Sequence, residues 1–225
     1  MLASDASLRI TEIFCSIQGE SSFAGEPTVF IRLTGCPLRC VYCDTAYAFQ
    51  GGELAQLTDI IEQVGLFETR HVCVTGGEPL AQPNCIPLLV QLCDEGYSVS
   101  LETSGALDIS GVDTRVKRIV DLKTPSSQEV DKNLYQNIEF LTRHDELKFV
   151  IASREDYEWA CEQINQSRLQ DKVAYILFSP AFAIGESFSE GLQPVQLAEW
   201  ILEDKLSVRL QLQMHKLLWG DKPGH

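Results

Sequence analysis

Positive charge is what this chain has least of. Lys and Arg together number 18 against 32 Asp and Glu, a formal net charge of −14. Such a surface repels phosphate backbones over most of its area, and no basic stripe interrupts it, so nucleic acid is not an expected partner. No apolar run approaches the roughly 20 residues that cross a bilayer, so no membrane span is expected. Met1 to Ser7 lacks a basic stretch followed by an apolar core, so no secretory leader is expected and the cytoplasm is the expected compartment. The eight cysteines then read as ligands and buried thiols rather than as disulfides. Internal repeats, low-complexity tracts and linkers are missing too, so residues 1–225 are expected to form one domain. A small-molecule substrate is the default, and an anionic one would need a local cation inside the site.

What is present suits a globular α/β domain. The chain has 225 residues, 44% of them hydrophobic and 8% aromatic, enough to bury a sizeable core. Strands are predicted over Leu8 to Ser16, Val29 to Leu33, His71 to Thr75, Tyr97 to Glu102, Arg118 to Leu122, Glu146 to Ala152, Lys172 to Phe178 and Val208 to Met214. Helices are predicted over Asp59 to Phe67 behind an N-cap at Thr58, Ile86 to Asp94, about Glu155 to Asn165, and Pro194 to Asp204. Ala46 to Gln56 reads as a connector. Strands alternating with helices imply a mostly parallel sheet. Six such strands run from Val29 before the last one, too few for a closed eight-fold barrel, so the expected architecture is a partial, open TIM-like barrel.

The chemistry concentrates after the strand Val29 to Leu33. Gly35 and Pro37 break it, and Cys36, Cys40 and Cys43 follow with C-x3-C-x2-C spacing on a loop at the strand's C-terminal end. A disulfide would use two thiols and leave one over. A structural zinc site wants four nitrogen or sulfur ligands. An iron–sulfur cluster is normally held by four thiolates; three would leave one iron open to a ligand.

Polar and glycine-rich residues recur at the ends of later strands, which would face one rim of a barrel. Thr75-Gly76-Gly77-Glu78-Pro79 lets backbone approach a ligand closely and offers a carboxylate to an ammonium group. Glu102-Thr103-Ser104-Gly105, Asp121-Leu122-Lys123-Thr124-Pro125 and Ser179-Pro180 end the next strands; singly, each reads equally as turn chemistry. Gln18-Gly19-Glu20 lies in a polar turn. Arg32, inside a strand, needs a partner if it points inward, and a substrate carboxylate or an internal acid such as Asp44 would serve.

The cysteine loop resembles that of the radical S-adenosylmethionine (SAM) enzymes, and the Gly-Gly-Glu-Pro segment resembles the one that binds the methionyl amino group in them. The wider set SIQGE, FIRLTGCPLRCVYCDTAYAF, VTGGEPL, LETSG, DLKTPSS and VRLQLQMHKLLWG resembles the 7-carboxy-7-deazaguanine synthase family, from about Ile10 to the C-terminus. That resemblance implies conversion of 6-carboxy-5,6,7,8-tetrahydropterin to 7-carboxy-7-deazaguanine with loss of ammonia, in the queuosine-type deazapurine pathway. It implies a single [4Fe-4S] cluster on Cys36, Cys40 and Cys43, with SAM on its open iron, and Mg2+ held through Thr45. Tyr42, Asp44, Gly76, Gly77, Glu78, Ser104, Asp121, Leu122, Lys123 and Ser179 would form the SAM site. Ile17, Gln18, Gly19, Glu20, Arg32, Thr75 and Pro223 would contact the pterin. An electron donor such as flavodoxin or ferredoxin and a homodimer are also implied. The chain departs from the family at Ser21, where glycine often follows QGE, and at Asp121-Leu122-Lys123, which reads Ser-Pro-Lys in other members. Some members end at the proline that matches Pro223; here Gly224 and His225 follow it.

Other residues have plainer readings. Cys15, Cys73, Cys85, Cys93 and Cys161 are expected to be buried thiols, His71 and His144 to lie at the surface, His215 to be structural or at a subunit contact in the last strand, and Trp159, Trp200 and Trp219 to pack. Leu217, Leu218 and Trp219 are the expected dimer contact. Two rival functions fit parts of the pattern. A glycyl-radical activase shares the cysteine loop, but no second cysteine-rich insert is present. A zinc module using Asp44 as fourth ligand explains the cysteines and not the polar strand ends.

Overall fold

The structure, a computed structural model, describes residues 6–183, 188, 191–220, 222 and 224. Pro223 lies outside the described residues. Among them, nine strands form one sheet in the order β3-β1-β2-β4-β5-β6-β7-β8-β9. They are β1 (Ser7–Ile17), β2 (Pro27–Leu33), β3 (Glu53–Gln56), β4 (His71–Gly76), β5 (Ser98–Thr103), β6 (Lys117–Asp121), β7 (Glu146–Ile151), β8 (Tyr175–Pro180) and β9 (Arg209–Leu210). β1 pairs antiparallel with both β2 and β3. Every pairing from β2 to β9 is parallel. The sheet stays open between β3 and β9, so the expected partial barrel is what forms.

The parallel strands follow one alternation, because successive side chains point to opposite faces. Val29, Ile31, Leu33, Val72, Val74, Val99, Leu101, Val120, Leu147, Phe149 and Ile151 belong to the hydrophobic core. The intervening positions, Phe30, Arg32, Thr75, Glu102, Ile119, Asp121, Lys148 and Val150, line a cavity on the concave face. The helices bring matching stripes to the core. α1 (Leu57–Gly65) buries Leu57, Ile60 and Val64, and α2 (Cys85–Asp94) buries Cys85, Leu88, Leu89 and Leu92, the three- and four-residue spacing of one helix face. α3 (Arg154–Gln166) buries Tyr157, Ala160 and Ile164 behind a cap in which the Ser153 hydroxyl accepts from Asp156 N. α4 (Leu169–Lys172) is a single turn, and α5 (Pro194–Glu203) buries Leu197 and Ile201.

Several expectations change. α1 starts at Leu57 after Gln56, not behind Thr58, because Leu57 is the first residue of its buried stripe. The connector contains β3, which pairs with the start of β1. The last strand shrinks to Arg209–Leu210, and the chain turns into α6 (Met214–Trp219). Gln211 is the last residue tied to β8, its N–H donating to Phe178 O at 2.9 Å, while its side chain accepts from Ser21 N at 2.9 Å and donates to Ser21 O at 3.0 Å, which links this edge to the β1–β2 turn. Cys15 is exposed rather than buried, and Cys93 and Cys161 are half-buried. No helix among the described residues is long and apolar enough to cross a membrane.

Candidate active site

Three sets of residues meet at one cavity. The first is the cysteine loop. Cys36, Cys40 and Cys43 all line the cavity, with Tyr42, Asp44 and Thr45 beside them. The end of β4 buttresses this loop from behind. Gly77 N donates to Leu33 O at 3.1 Å, and Glu78 N to Gly35 O at 2.8 Å. A Cβ on Gly77 would stand 2.1 Å from Gly35 O, and one on Gly76, where φ is +134°, 2.2 Å from Leu33 O. Only glycine lets the two backbones approach this closely.

The strand ends provide the second set. Thr75, Gly76, Gly77, Glu102, Thr103, Ser104, Asp121, Lys123 and Ser179 line the cavity. Lys123 pairs with Asp121 at 3.0 Å, and despite burial the Asp121 and Cys40 charges hold the lysine's pKa above its usual value. The other Asp121 oxygen, Oδ1, is buried with no partner among the described residues, a free acceptor at the wall. Burial pushes the Cys40 thiol up to about 11, and Cys36 also rises.

The third set enters from the opposite end. Ser22 N donates to Glu146, the first residue of β7, so the β1–β2 turn sits at the strands' N-terminal end and sends Gln18 and Glu20 up into the lumen. Glu20 forms a buried ion pair with Lys148 and accepts from Gln213 Nε2 at 2.6 Å. Burial would raise the Glu20 carboxyl, yet Lys148 holds it below the usual carboxylate range. Glu102 accepts from Thr75 Oγ1 at 3.1 Å and from Gln18 Nε2 at 3.3 Å. Burial and the nearby Glu20 charge raise its pKa. Arg32 lines the cavity, and its Nε donates to Glu12 at 2.7 Å. An internal acid, though not Asp44, therefore takes one edge of its guanidinium.

Two expected site residues do not reach the cavity. Glu78 is fully buried, and its carboxylate accepts from Thr103 Oγ1, from Leu80 N, and from Ser104 N and Oγ at 2.7 and 2.5 Å. It anchors the adjoining strand end and is not available to an ammonium group. Leu122 is buried in the core, its N–H donating to Lys148 O at 3.0 Å.

Lys148, Gln213, His215 and Lys216 line the cavity without having been expected there. His215 is on α6 rather than in a strand, and burial lowers its pKa. A Cβ on Gly19 would meet His215 Nδ1 at 2.3 Å, so the glycine of Gln18-Gly19-Glu20 is required by α6 crossing over it. A lone lysine in the apolar strand Glu146–Ile151 was the one available signal for Lys148; nothing local marks α6.

The donor set fits a cluster better than a single ion. Three thiols open on one cavity, yet among the described residues no group of three or more His, Cys, Asp or Glu is gathered tightly enough to hold one metal ion. A four-iron cluster takes a separate thiolate on each ligated iron, whereas a zinc loop needs its ligands on a common centre.

Comparison with known proteins agrees with this arrangement. A family profile described as the radical SAM superfamily matches residues 30–174. The chain is 44% identical to a 7-carboxy-7-deazaguanine synthase of Koribacter versatilis, over 94% of this chain and 97% of that protein. It is also 44% identical to one of Chlorobaculum tepidum, over 97% of each. Among solved structures it is similar to QueE from Escherichia coli, with TM-score 0.73 and 26% identity over 93% of this chain and 95% of that one.

Proposed function

From its membership of the radical SAM superfamily and, within that, of the 7-carboxy-7-deazaguanine synthases, we infer that the chain converts 6-carboxy-5,6,7,8-tetrahydropterin to 7-carboxy-7-deazaguanine with loss of ammonia. It is a radical SAM enzyme of 7-deazapurine biosynthesis, dependent on a [4Fe-4S] cluster and SAM. The observation that carries the reading is that Cys36, Cys40 and Cys43 open on the same cavity as Gln18, Glu20, Arg32 and Thr75.

The cluster and SAM supply homolytic cleavage of SAM and hence hydrogen-atom abstraction from the substrate. The protein's share is to bind, orient and shield. Cys36, Cys40 and Cys43 are the proposed cluster ligands. Tyr42, Asp44, Gly76, Gly77, Ser104, Asp121, Lys123 and Ser179 are the proposed SAM wall, the free Asp121 Oδ1 suiting a hydroxyl donor. Ile17, Gln18, Gly19, Glu20, Arg32 and Thr75 are proposed for the pterin. Arg32 suits its carboxylate, and Glu102 with Gln18 offers acceptor and donor groups to its ring. Thr45, with its hydroxyl 3.3 Å from Asp44 Oδ1, is proposed to hold Mg2+, a cation that prefers oxygen.

The activase reading is disfavoured by the lack of a second cysteine-rich insert in the sequence. A single domain, a cytoplasmic site of action, a flavodoxin- or ferredoxin-type electron donor and a homodimer through the exposed Leu217 and Leu218 complete the proposal.

The test is anaerobic reconstitution with iron and sulfide, followed by SAM, reductant, Mg2+ and 6-carboxytetrahydropterin. Joint formation of 5′-deoxyadenosine and 7-carboxy-7-deazaguanine is expected. SAM cleavage with the pterin untouched would return the substrate to open, and a colourless protein with stoichiometric zinc would overturn the reading.

A further inference from the structure

Arg39, directly before Cys40 in the cysteine loop, is an arginine whose guanidinium forms no ion pair with a carboxylate among the described residues. Arg39 Nη1 instead donates to two backbone carbonyls of its own loop, Cys36 O at 2.7 Å and Leu38 O at 2.6 Å. Its guanidinium carbon lies 4.3 Å from the centroid of the Phe49 ring, within the range of a cation–π contact. Phe49 ends the 3-10 turn Ala46–Phe49, which follows the last cysteine, and it also lines the cavity. One side chain thus bridges the segment before Cys40 and the segment after Cys43.

The backbone of the same residue is held from the other side. Arg39 N donates to Glu129 Oε1 at 2.5 Å, and Val41 N donates to Ser127 O at 3.3 Å. Both acceptors belong to the loop after β6, which is itself fixed by Ser126 N donating to Asp156 Oδ1 at 2.8 Å. A ligand loop with no ladder of its own would otherwise leave these carbonyls and amides to water. A surface arginine with no special role would be expected to trail into solvent or pair with one of the many acids.

We propose that Arg39 is a positioning residue for the cluster: together with Glu129 it holds the Cys36–Cys43 loop in the shape that presents three thiolates to the [4Fe-4S] centre. This rests on the reading above only in that a cluster occupies the loop. Arg39 touches neither substrate nor SAM in this account. Its effect falls on how firmly and how uniformly the cluster is held, and its fixed positive charge beside the loop favours the cluster's reduced, more negative state.

The test compares reconstituted wild type with Arg39→Gln, Arg39→Lys and Glu129→Gln. Iron release to a chelator is followed by absorbance, the reduced cluster by EPR, and the midpoint potential by titration. Losing one charge-assisted contact is expected to speed iron release from Arg39→Gln about tenfold, equivalent to about 1.4 kcal/mol. The EPR signal broadens and the midpoint moves to more negative potential. Arg39→Lys keeps the charge and a donor but not the flat stack, so it falls between the two and retains the wild-type midpoint. Glu129→Gln releases iron faster than wild type, and loss of its negative charge moves the midpoint to more positive potential, opposite to Arg39→Gln. Arg39→Gln within twofold of wild type in iron release would overturn the proposal. So would equal loss in Arg39→Gln and Arg39→Lys that tracks a fall in the melting temperature of the apoproteins, which would make Arg39 an ordinary fold residue. A wild type that assembles no cluster would instead strike at the functional reading.

Discussion

Lys148 on β7 crosses the lumen to the Glu20 carboxylate of the β1–β2 turn, and this buried pair joins two segments 128 residues apart in sequence. Both side chains are nearly enclosed, with 12% and 10% exposure. An isolated charge there is costly, so removing one partner hurts more than the pair itself contributes. Lys148→Met is expected to lower unfolding free energy by about 3 to 5 kcal/mol by stranding Glu20. Denaturant unfolding measures it. The double variant Lys148→Met/Glu20→Gln should recover most of the loss, and failure to recover would show that the lysine acts through packing instead.

The two lumen acids respond to pH in opposite senses. Glu20 has a lowered folded pKa, set by Lys148 against burial, so its stabilisation is present above its unfolded value and is lost as pH falls through the folded one. Glu102 has a raised folded pKa, set by burial and by Glu20, so its contribution is present at low pH and is lost as pH rises through the folded value. Glu102→Gln should therefore match wild type most closely near pH 4 and gain on it toward neutrality, the range above the unfolded glutamate value of about 4.3. Urea unfolding across that range gives the difference. A gap that shrinks with rising pH would contradict the assignment.

Thr45 carries the Mg2+ proposal alone. Its hydroxyl lies 3.3 Å from Asp44 Oδ1 and 3.8 Å from Cys43 Sγ, so the same short segment would carry both proposed metal sites. Thr45→Ala should assemble a cluster normally, since no thiol is touched, and should lose the stimulation of turnover by Mg2+. A variant that kept both full activity and metal dependence would remove Thr45 from that role.

The open barrel was legible because alternation of period two and helical stripes are written locally: Val72 and Val74 against Cys73 and Thr75 in β4, or Ile60 and Val64 in α1. The cysteine loop was legible because its three cysteines lie within eight residues. What escaped depends on contacts distant in sequence. After β9 the chain is tied to the β1–β2 turn by Gln211 meeting Ser21. His215 enters the site because Met214 N donates to Gly19 O at 3.0 Å and swings α6 over the turn. The apolar pattern around Cys15 predicts burial, but at that point of β1 the side chain is exposed, although Ile13 on the same side packs against the core. Glu78 misled in the other direction, since a carboxylate beside two glycines looks the same in sequence whether it faces a ligand or its neighbouring strand.

Glu78 accordingly yields a prediction about stability more than binding. Its carboxylate accepts from two hydroxyls and two backbone amides, those of Thr103, Ser104 and Leu80, with no exposure to solvent. The Ser104 amide and hydroxyl, both bonded to Oε2, fix the end of β5 beside the proposed SAM wall. Glu78→Gln offers one acceptor oxygen and an NH2 group in place of the second, so donors now face a donor. The expected cost is about 1 to 3 kcal/mol of stability, the penalty for leaving a buried polar group unpaired. Because Ser104 moves with the strand end, KM for SAM should rise as a consequence, while cluster content, which depends on the thiols, stays at the wild-type level. Thermal unfolding, SAM titration and iron analysis separate these effects. If Glu78 instead bound the SAM ammonium directly, the KM effect would appear with stability unchanged, and the buried hydrogen-bond account of this residue would be wrong.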